Sequence, residues 1–347
     1  MFIETLSFLN IRKTKEAHLK FIPKTNIIIG KNGQGKTTII EAINLLSSTK
    51  SFRKKQNKAL TTTGKDTLQV KGEFLFDKKE KKTIKIEITN NKKTIKDNNR
   101  IIKKTSDHIQ TIPVVYMSPE EENIIEATNS TKSKMFDKII FKIKKNHIQN
   151  IIQYKKILFY RNRLLEEQKD TTAWDEQLID RGLKVWEERE KFFENFIETY
   201  KETQKDIEKK EKYTIEYIKE KIKTREEYSE ELSKDKNKEK TKTGPHSDKI
   251  NFLIEKKGLQ EHGSQGEKKT FKLILKLSEA NLIKKEKKEK PILMIDDFFA
   301  KLDHENIMKT FSYFHRKFQT IITTTNIEKE HETILSQKEE IKTIKCP

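Results

Sequence analysis

Eight consecutive residues constrain this chain more than any other feature. Gly30-Lys31-Asn32-Gly33-Gln34-Gly35-Lys36-Thr37 fits the pattern G-x-x-x-x-G-K-[ST]. The glycines let the backbone curl so that successive N–H groups point inward at phosphate oxygens. The lysine supplies a point charge to the β- and γ-phosphates, and the following hydroxyl suits Mg2+. Such a loop carries this chemistry between a strand and a helix, and both patterns flank it. Asn26-Ile27-Ile28-Ile29 reads as a short buried strand. From Thr37 onward Ile39, Ile40, Ile43, Leu45 and Leu46 fall mostly on one helical face, and the positive end of that helix faces the same anion. A glycine-rich turn without a ligand is the bland alternative, and the flanking elements argue against it. The predicted nucleotide contacts are Gly30, Lys31, Asn32, Gly33, Gln34, Gly35, Lys36, Thr37 and Thr38.

A second element lies 260 positions beyond Lys36. Pro291-Ile292-Leu293-Met294-Ile295 is an apolar strand ending in Asp296-Asp297. A parallel sheet delivers the C-terminal residues of its strands to the ligand edge. Asp296 is placed to hold Mg2+, partly through water, together with Thr37. Asp297 is placed to orient or polarise an attacking water, and Lys36 completes the predicted catalytic set. Taken alone, a strand that runs into two aspartates is ordinary; the phosphate loop in the same chain gives the pair its meaning. The separation is too long for a compact GTPase-like domain. Before the aspartates stands Gly263-Ser264-Gln265-Gly266-Glu267, followed by a long helical pattern. A serine at a helix N-terminus caps the helix or binds a γ-phosphate equally well. The order of loop, serine-led helix and Asp-Asp strand is that of ABC-type ATPases, which adds Ser264 and Gly266 to the nucleotide contacts.

The rest of the chain reads as an α/β head split by a helical insertion. Leu68 to Phe76 and Ile84 to Ile88 alternate like an antiparallel meander. Pro113 to Met117 resembles another buried strand. From about Thr131 to Lys212 the apolar positions follow helical spacing, predicting two long helices joined near Lys169 to Ala173. Ser233 to Thr243 is a charge run, read as a mobile loop. Core-like alternation returns with Phe252-Leu253-Ile254, a helix over Gln265–Lys284 and strands at Pro291 and Thr320. The expected organisation is a first head segment over 1–118, a helical arm with the charged loop over 119–242, and a second head segment over 243–347.

Composition bears on partners. Lys plus Arg number 74 against 54 Asp plus Glu, a net charge of +20 that favours nucleic acid, nucleotide phosphates or an anionic membrane face. Nine of those basic residues are Arg, and a lysine-rich background raises charge without selecting a face. One cysteine, Cys346, excludes an internal disulfide framework and a cysteine metal cage. The longest apolar stretches are too short to span a bilayer, and Met1-Phe2-Ile3-Glu4-Thr5 lacks the pattern of a secretion signal. A soluble, cytoplasmic protein without a membrane partner is expected.

In this order the motifs resemble the RecF family, whose head is similar to those of SMC-type ATPases. Besides the loop, the resemblance rests on Glu41-Ala42-Ile43, Ser51-Phe52-Arg53, Ser118-Pro119-Glu120, Tyr154 with Arg161-Asn162, and Trp174-Asp175. Thr243-Gly244-Pro245-His246, Gly263-Ser264-Gln265-Gly266 and Ile295-Asp296-Asp297 with Leu302-Asp303 complete it. It implies a P-loop ABC-type ATPase head, a parallel core sheet plus an antiparallel β subdomain, with an inserted mainly helical arm. It further implies ATP and Mg2+ as ligands and a slow, DNA-stimulated ATPase that acts as a dimerisation switch. In such heads the loop and the signature lie on opposite sides, so two chains complete each site. The implied partners are a second copy of the chain, single-stranded and double-stranded DNA at gap junctions, RecR and RecO, and functionally RecA, whose loading it would promote. The implied setting is DNA repair, replication and the SOS response.

Three departures stand out. Ser247-Asp248-Lys249 replaces the family's usual Arg-Asp-Asp, Lys132-Ser133-Lys134 is a reduced form of an Arg-rich patch, and Lys301 replaces an acidic residue. Losing Arg removes bidentate phosphate contacts. His246 beside Asp248 reads as a structural turn, not a metal pair. Glu120 near the nucleotide, Asp303 as a partner contact or helix cap, and Thr323-Thr324-Thr325 as a switch are lesser candidates. Tyr154, Phe159, Tyr160, Trp186, Phe192, Phe193 and Phe196 are expected to pack the arm. Two other functions share these motifs, the ATPase subunit of a membrane transporter and a DNA scaffold that binds nucleotide without turnover.

Overall fold

The computed structural model describes residues 1–52, 60–77, 79–90, 92–117, 124–208, 210–235, 238–297, 304–325 and 340–346, with backbone alone for 106–107 and 304–308. Along the chain run β1 (Phe2–Ile11), β2 (Thr14–Lys20), β3 (Thr25–Ile29), α1 (Lys36–Ser48), β4 (Thr67–Leu75), β5 (Lys81–Thr89), β6 (Lys92–Asp97), β7 (Arg100–Ile101), α2 (Thr105–His108) and β8 (Val114–Met117). Then come α3 (Asn129–Ile143), α4 (His147–Glu166), α5 (Thr172–Glu208), β9 (Tyr213–Ile218), α6 (Arg225–Ser233), β10 (Lys249–Ile254), β11 (Lys257–Gly258) and α7 (Leu259–His262). The chain closes with α8 (Gln265–Lys287), β12 (Ile292–Ile295), α9 (His304–His315), β13 (Thr320–Thr324) and β14 (Ile341–Lys345). Two units result. The first comprises Met1–Glu122, Asp206–Lys209 and Gln265–Pro347, the second Asn123–Lys205 and Lys210–Ser264.

The first unit holds two sheets and the helix between them. The apolar strands β3, β12, β13 and β8, with β14 at the edge, make a parallel sheet in the order β14-β3-β13-β12-β8. Residues of β12 and β13 are buried throughout, as strands covered on both faces must be. Strands β2-β1-β4-β5-β6-β7 form an antiparallel sheet. There the alternation is two-fold: Leu68, Val70, Phe74, Ile84, Ile86 and Ile88 are buried, while the residues between them face out. Ile39, Ile40, Ile43 and Leu46 of α1 join both sheets in one core. This mixed α/β head, with the helical insertion of the second unit, is the architecture the motifs imply.

The second unit packs α3, α4, α5, α6 and α7 with the sheet β11-β10-β9. Where two long helices were expected, there are three. The joint over 167–171 is present and α5 is 37 residues long, but the first helix breaks at Lys144, whose backbone is extended. No Gly or Pro marks that break. It lets the buried His147 present Nε2 to Asp137 at 3.0 Å and Nδ1 to Glu188 at 2.6 Å. Burial disfavours the charged imidazole, yet the two carboxylates outweigh it and hold His147 above its ordinary pKa. Phe252-Leu253-Ile254, expected in the second head segment, pairs as β10 with β9 inside this unit.

The family motifs of the arm serve as its stitching. Arg161 is fully buried, donating to Asp175 (2.5 Å), Thr241 (2.6 Å) and the Leu232 carbonyl (2.9 Å). Asn162 accepts from the Thr241 backbone and hydroxyl. The charge run is therefore tied down at Thr241 and at the buried Asp235, which accepts from the Lys242 backbone at 3.0 Å; its residues 236–237 lie outside the described set. His246 bonds Tyr154 (2.6 Å) and the Thr241 carbonyl (3.0 Å), a structural turn as expected. Asp248 meets Arg189 at 2.6 Å, Tyr217 at 2.7 Å and Trp186 at 2.8 Å. Lys132 is buried, its ammonium on the Ile250 carbonyl and over the Phe252 ring, so it offers nothing to a phosphate. Tyr154, Trp186, Phe192, Phe193 and Phe196 pack the interior, but Phe159 and Tyr160 are exposed.

Candidate phosphate-binding site

Parallel pairing brings the C-terminal ends of β3, β13 and β12 to one edge of the sheet. The loop after β3 and the aspartates after β12 are thus separated by one strand, whose own terminal threonines fill the gap. Gly33 (φ 84) and Gly35 (φ 105) adopt left-handed conformations that other residues rarely take. Gly35 serves as N-cap of α1, so the loop turns directly into the helix. The Lys36 ammonium folds back on its own loop, donating to the Gly30 carbonyl and to the Lys31 carbonyl at 3.1 Å. Gln34 closes the curl by accepting from the Lys31 amide at 2.6 Å.

Asp296 is buried and spans the edge. One oxygen accepts from Thr323; the other lies 3.5 Å from the Thr37 hydroxyl and 3.5 Å from the Tyr116 hydroxyl. Asp297 follows in a left-handed conformation (φ 56) and donates its backbone N–H to Thr323 at 3.1 Å. Among the described residues its Oδ1 is buried without a hydrogen-bond partner. An unpaired buried carboxylate oxygen on strained backbone is costly to maintain, and both features turn up together beside the phosphate loop.

A cavity of about 760 Å³ opens here, lined by Asn32, Gly33, Gln34, Gly35, Lys36, Thr37, Thr38, Asp296 and Asp297 among the predicted residues, and by Thr325. Gly30 and Lys31 are not in its wall and instead supply carbonyls to Lys36. Gly266 is exposed with open space around it, and Ser264, also exposed, immediately precedes α8; neither lines the cavity. Glu120, Lys301, Asp303 and Arg53 lie outside the described residues.

Four cavity residues escaped sequence reasoning: Arg12 and Lys13 from the turn joining β1 to β2, and Thr14 and Lys15 from the start of β2. Arg12 meets the buried Glu41 of α1 at 2.5 and 2.9 Å, and Ser51 donates to the same carboxylate. The signal was available in Glu41 itself, since a helix acid facing the core needs a cation. Cys346 also sits against the loop, its backbone N–H on the Ile29 carbonyl at 2.8 Å and its Sγ 3.1 Å from the Gln34 carbonyl. Burial pushes its thiol above the ordinary value, against the pull of Lys36.

The donor set suits a hard cation. Thr37 and Asp296 present two oxygens 3.5 Å apart on the cavity wall, and Mg2+ typically takes one or two such protein ligands and completes its shell with water and phosphate. Among the described residues no cluster of three His, Cys, Asp or Glu is arranged to hold a metal by itself, and no helix is long and apolar enough to cross a membrane.

Comparison with known proteins gives a consistent family. Residues 2–343 match the model of the RecF/RecN/SMC N-terminal domain. The chain is 32% identical over 360 residues to the DNA replication and repair protein RecF of Bacillus thuringiensis (strain Al Hakam) and to that of Bacillus cereus (strain B4264), covering 97% of this chain and 96% of each relative. Its structure resembles that of the recombination mediator protein RecF-ATPrS in the RecFOR pathway, with a TM-score of 0.84, 28% identity, and coverage of 99% of this chain and 96% of the other. RecF-ATP in the same pathway matches at TM-score 0.81 and 29% identity, over 94% of both chains. An Smc head domain bound to the C-terminal domain of ScpA derived from Pyrococcus furiosus shares the fold alone, at TM-score 0.56 and 16% identity over 100% of this chain and 94% of that one.

Proposed function

This chain belongs to the RecF family of DNA replication and repair proteins, and from that premise we propose that it is an ATP-gated, DNA-binding homodimer of the cytoplasm that acts at gapped DNA. The observation that carries the proposal is the joining of the phosphate loop to Asp296 through Thr37 at the wall of one cavity. Lys36 leaves the carbonyls of Gly30 and Lys31 for the β- and γ-phosphates of ATP. Loop N–H groups and the N-terminus of α1 receive the phosphate oxygens, and Lys13 and Lys15 add positive charge to the same cavity. Thr37 and Asp296 hold Mg2+, which when bound neutralises developing charge on the phosphoryl oxygens. Asp297, with its unpaired carboxylate oxygen, orients the attacking water.

Ser264 is exposed and outside the cavity wall, which supports its service to the nucleotide of a second chain. Two copies related by two-fold symmetry then hold two nucleotides between them, and hydrolysis removes the phosphate that joins them. The relatives' place in the RecFOR pathway supports RecO and RecR as partners and RecA loading as the outcome. Asp297→Asn is expected to keep ATP affinity, to slow turnover by about a hundredfold or more and to accumulate the dimer. Phosphate release and light scattering check this, and unchanged turnover would move the water-orienting role to another group.

The outer face of the antiparallel sheet supports a polyanionic partner. Lys71 stands directly opposite Lys85, and Lys85 opposite Lys96, a row of three lysines across adjacent strands. Like charges so placed are destabilising, and a phosphate backbone relieves them. Lys71 and Lys85 each keep a glutamate along their own strand, at 2.8 and 3.4 Å, in exposed pairs of little strength. Replacing Lys85 and Lys96 together by Gln is expected to weaken DNA binding across sequences, to lower the salt slope by about 2 and to raise the melting temperature slightly. An unchanged slope in a salt titration would put the DNA elsewhere.

A further inference from the structure

Helix α4 carries a face that its own packing does not use. Ile151, Tyr154, Ile157, Arg161 and Leu165 are buried. On the opposite side Ile152 and Phe159 are 60% and 63% exposed. With Lys156 and Arg163 they recur at intervals of four, three and four residues, a single stripe about 17 Å long. Tyr160 flanks the stripe, its ring 5.6 Å from that of Phe159 and stacked on Trp174 at 5.0 Å with planes 26° apart. The Lys156 ammonium lies 6.0 Å from the Tyr160 ring. From His147 to Leu165 the helix contains no Asp or Glu. Arg163 pairs with Glu167 at 3.2 Å, both well exposed, a contact that a competing anion displaces readily.

A single exposed hydrophobe needs no explanation. A bare phenyl ring beside an aromatic stack, interleaved with cations on a face whose acids, Glu166 and Glu167, stand only at its C-terminal end, has a specific chemistry. Its cations suit an anionic partner, and its rings suit one with flat, unpaired faces to stack. Duplex DNA hides its base faces within the helix; a single strand offers them. We propose that this face of α4 is a track for single-stranded nucleic acid, in which Lys156 and Arg163 meet phosphates while Phe159 and the Tyr160–Trp174 stack meet bases. The proposal rests on the reading of this chain as a DNA-binding protein and adds to it a surface and the residues that would meet the strand.

The test uses the full chain in fluorescence anisotropy, with a labelled oligo-dT and, separately, a blunt duplex. Phe159→Ala should weaken oligo-dT binding about tenfold or more while leaving duplex affinity unchanged; Phe159→Tyr, which keeps the ring, should restore it. Because Phe159 is exposed, the melting temperature should not move. Oligo-dT binding by Phe159→Ala equal to that of the unaltered chain would overturn the track and leave the DNA-binding reading standing. An unaltered chain that binds neither DNA would overturn both. Loss in Phe159→Ala of nucleotide-independent self-association, with oligo-dT binding intact, would assign the face to a second copy of the chain and overturn the track as well.

Discussion

Lys36→Ala is expected to weaken ATP binding by roughly a hundredfold or more. The side chain is almost wholly buried, 9% exposed, yet among the described residues its ammonium is shared between two carbonyls of its own loop and no carboxylate. Those carbonyls form a holding position from which a triphosphate, carrying formal charge, draws the lysine away. A charge-assisted contact of this kind contributes about 1.5–3 kcal/mol, and the proposed site gives Lys36 one each to the β- and γ-phosphates. Together they account for a loss of roughly a hundredfold or more in affinity, since about 1.4 kcal/mol is tenfold. Equilibrium dialysis or calorimetry with ATP checks the result. Affinity equal to that of the unaltered chain would remove the phosphate-loop assignment, and with it the reading of Thr37 and Asp296 as a Mg2+ pair.

The second large effect concerns association and leaves the loop untouched. Ser264→Arg should bind ATP as before but remain monomeric when ATP is added. Ser264 is exposed immediately before α8, so the substitution meets no packed core and costs at most a helix cap, about 1 kcal/mol. In the proposed closed pair the same position would face the γ-phosphate of the other chain, and a bulky guanidinium would replace the serine hydroxyl there. Light scattering with and without ATP reads the outcome directly. An ATP-dependent dimer formed by Ser264→Arg would place the closing contact in some other residue.

Much of this site was legible before any coordinates, because its elements are short and chemically saturated. The loop has one spacing, and a four-residue strand of Ile, Leu and Met has one fate in a parallel sheet. Asp296 and Asp297 followed from that strand's direction together with the phosphate loop in the same chain. What stayed hidden depends on pairing between distant residues. Arg12 lies in a tight turn like many others, and only the contact with Glu41 brings it to the cavity. Strand β14, Ile341-Lys342-Thr343-Ile344-Lys345, has no two-residue alternation to announce it, and it becomes a strand because β3 offers it an edge. The break between α3 and α4 has no Gly or Pro to announce it; it follows from the charge pairing of His147 with Asp137 and Glu188. Phe159 shows the reverse error. Aromatic content suggested packing, and burial alone separates the five rings that pack from the two that do not.

The account turns on each nucleotide being held by two chains, and mixing two inactive variants tests this most directly. Lys36→Ala lacks a working loop and Ser264→Arg lacks a working cap, so neither alone should form a dimer with ATP. Combined in equal amounts, the loop of Ser264→Arg and the Ser264 of Lys36→Ala complete one shared site. Light scattering should then show an ATP-dependent species of twice the monomer mass. A mixture that stays monomeric while the unaltered chain dimerises with ATP would contradict the shared site and return the nucleotide to a single chain.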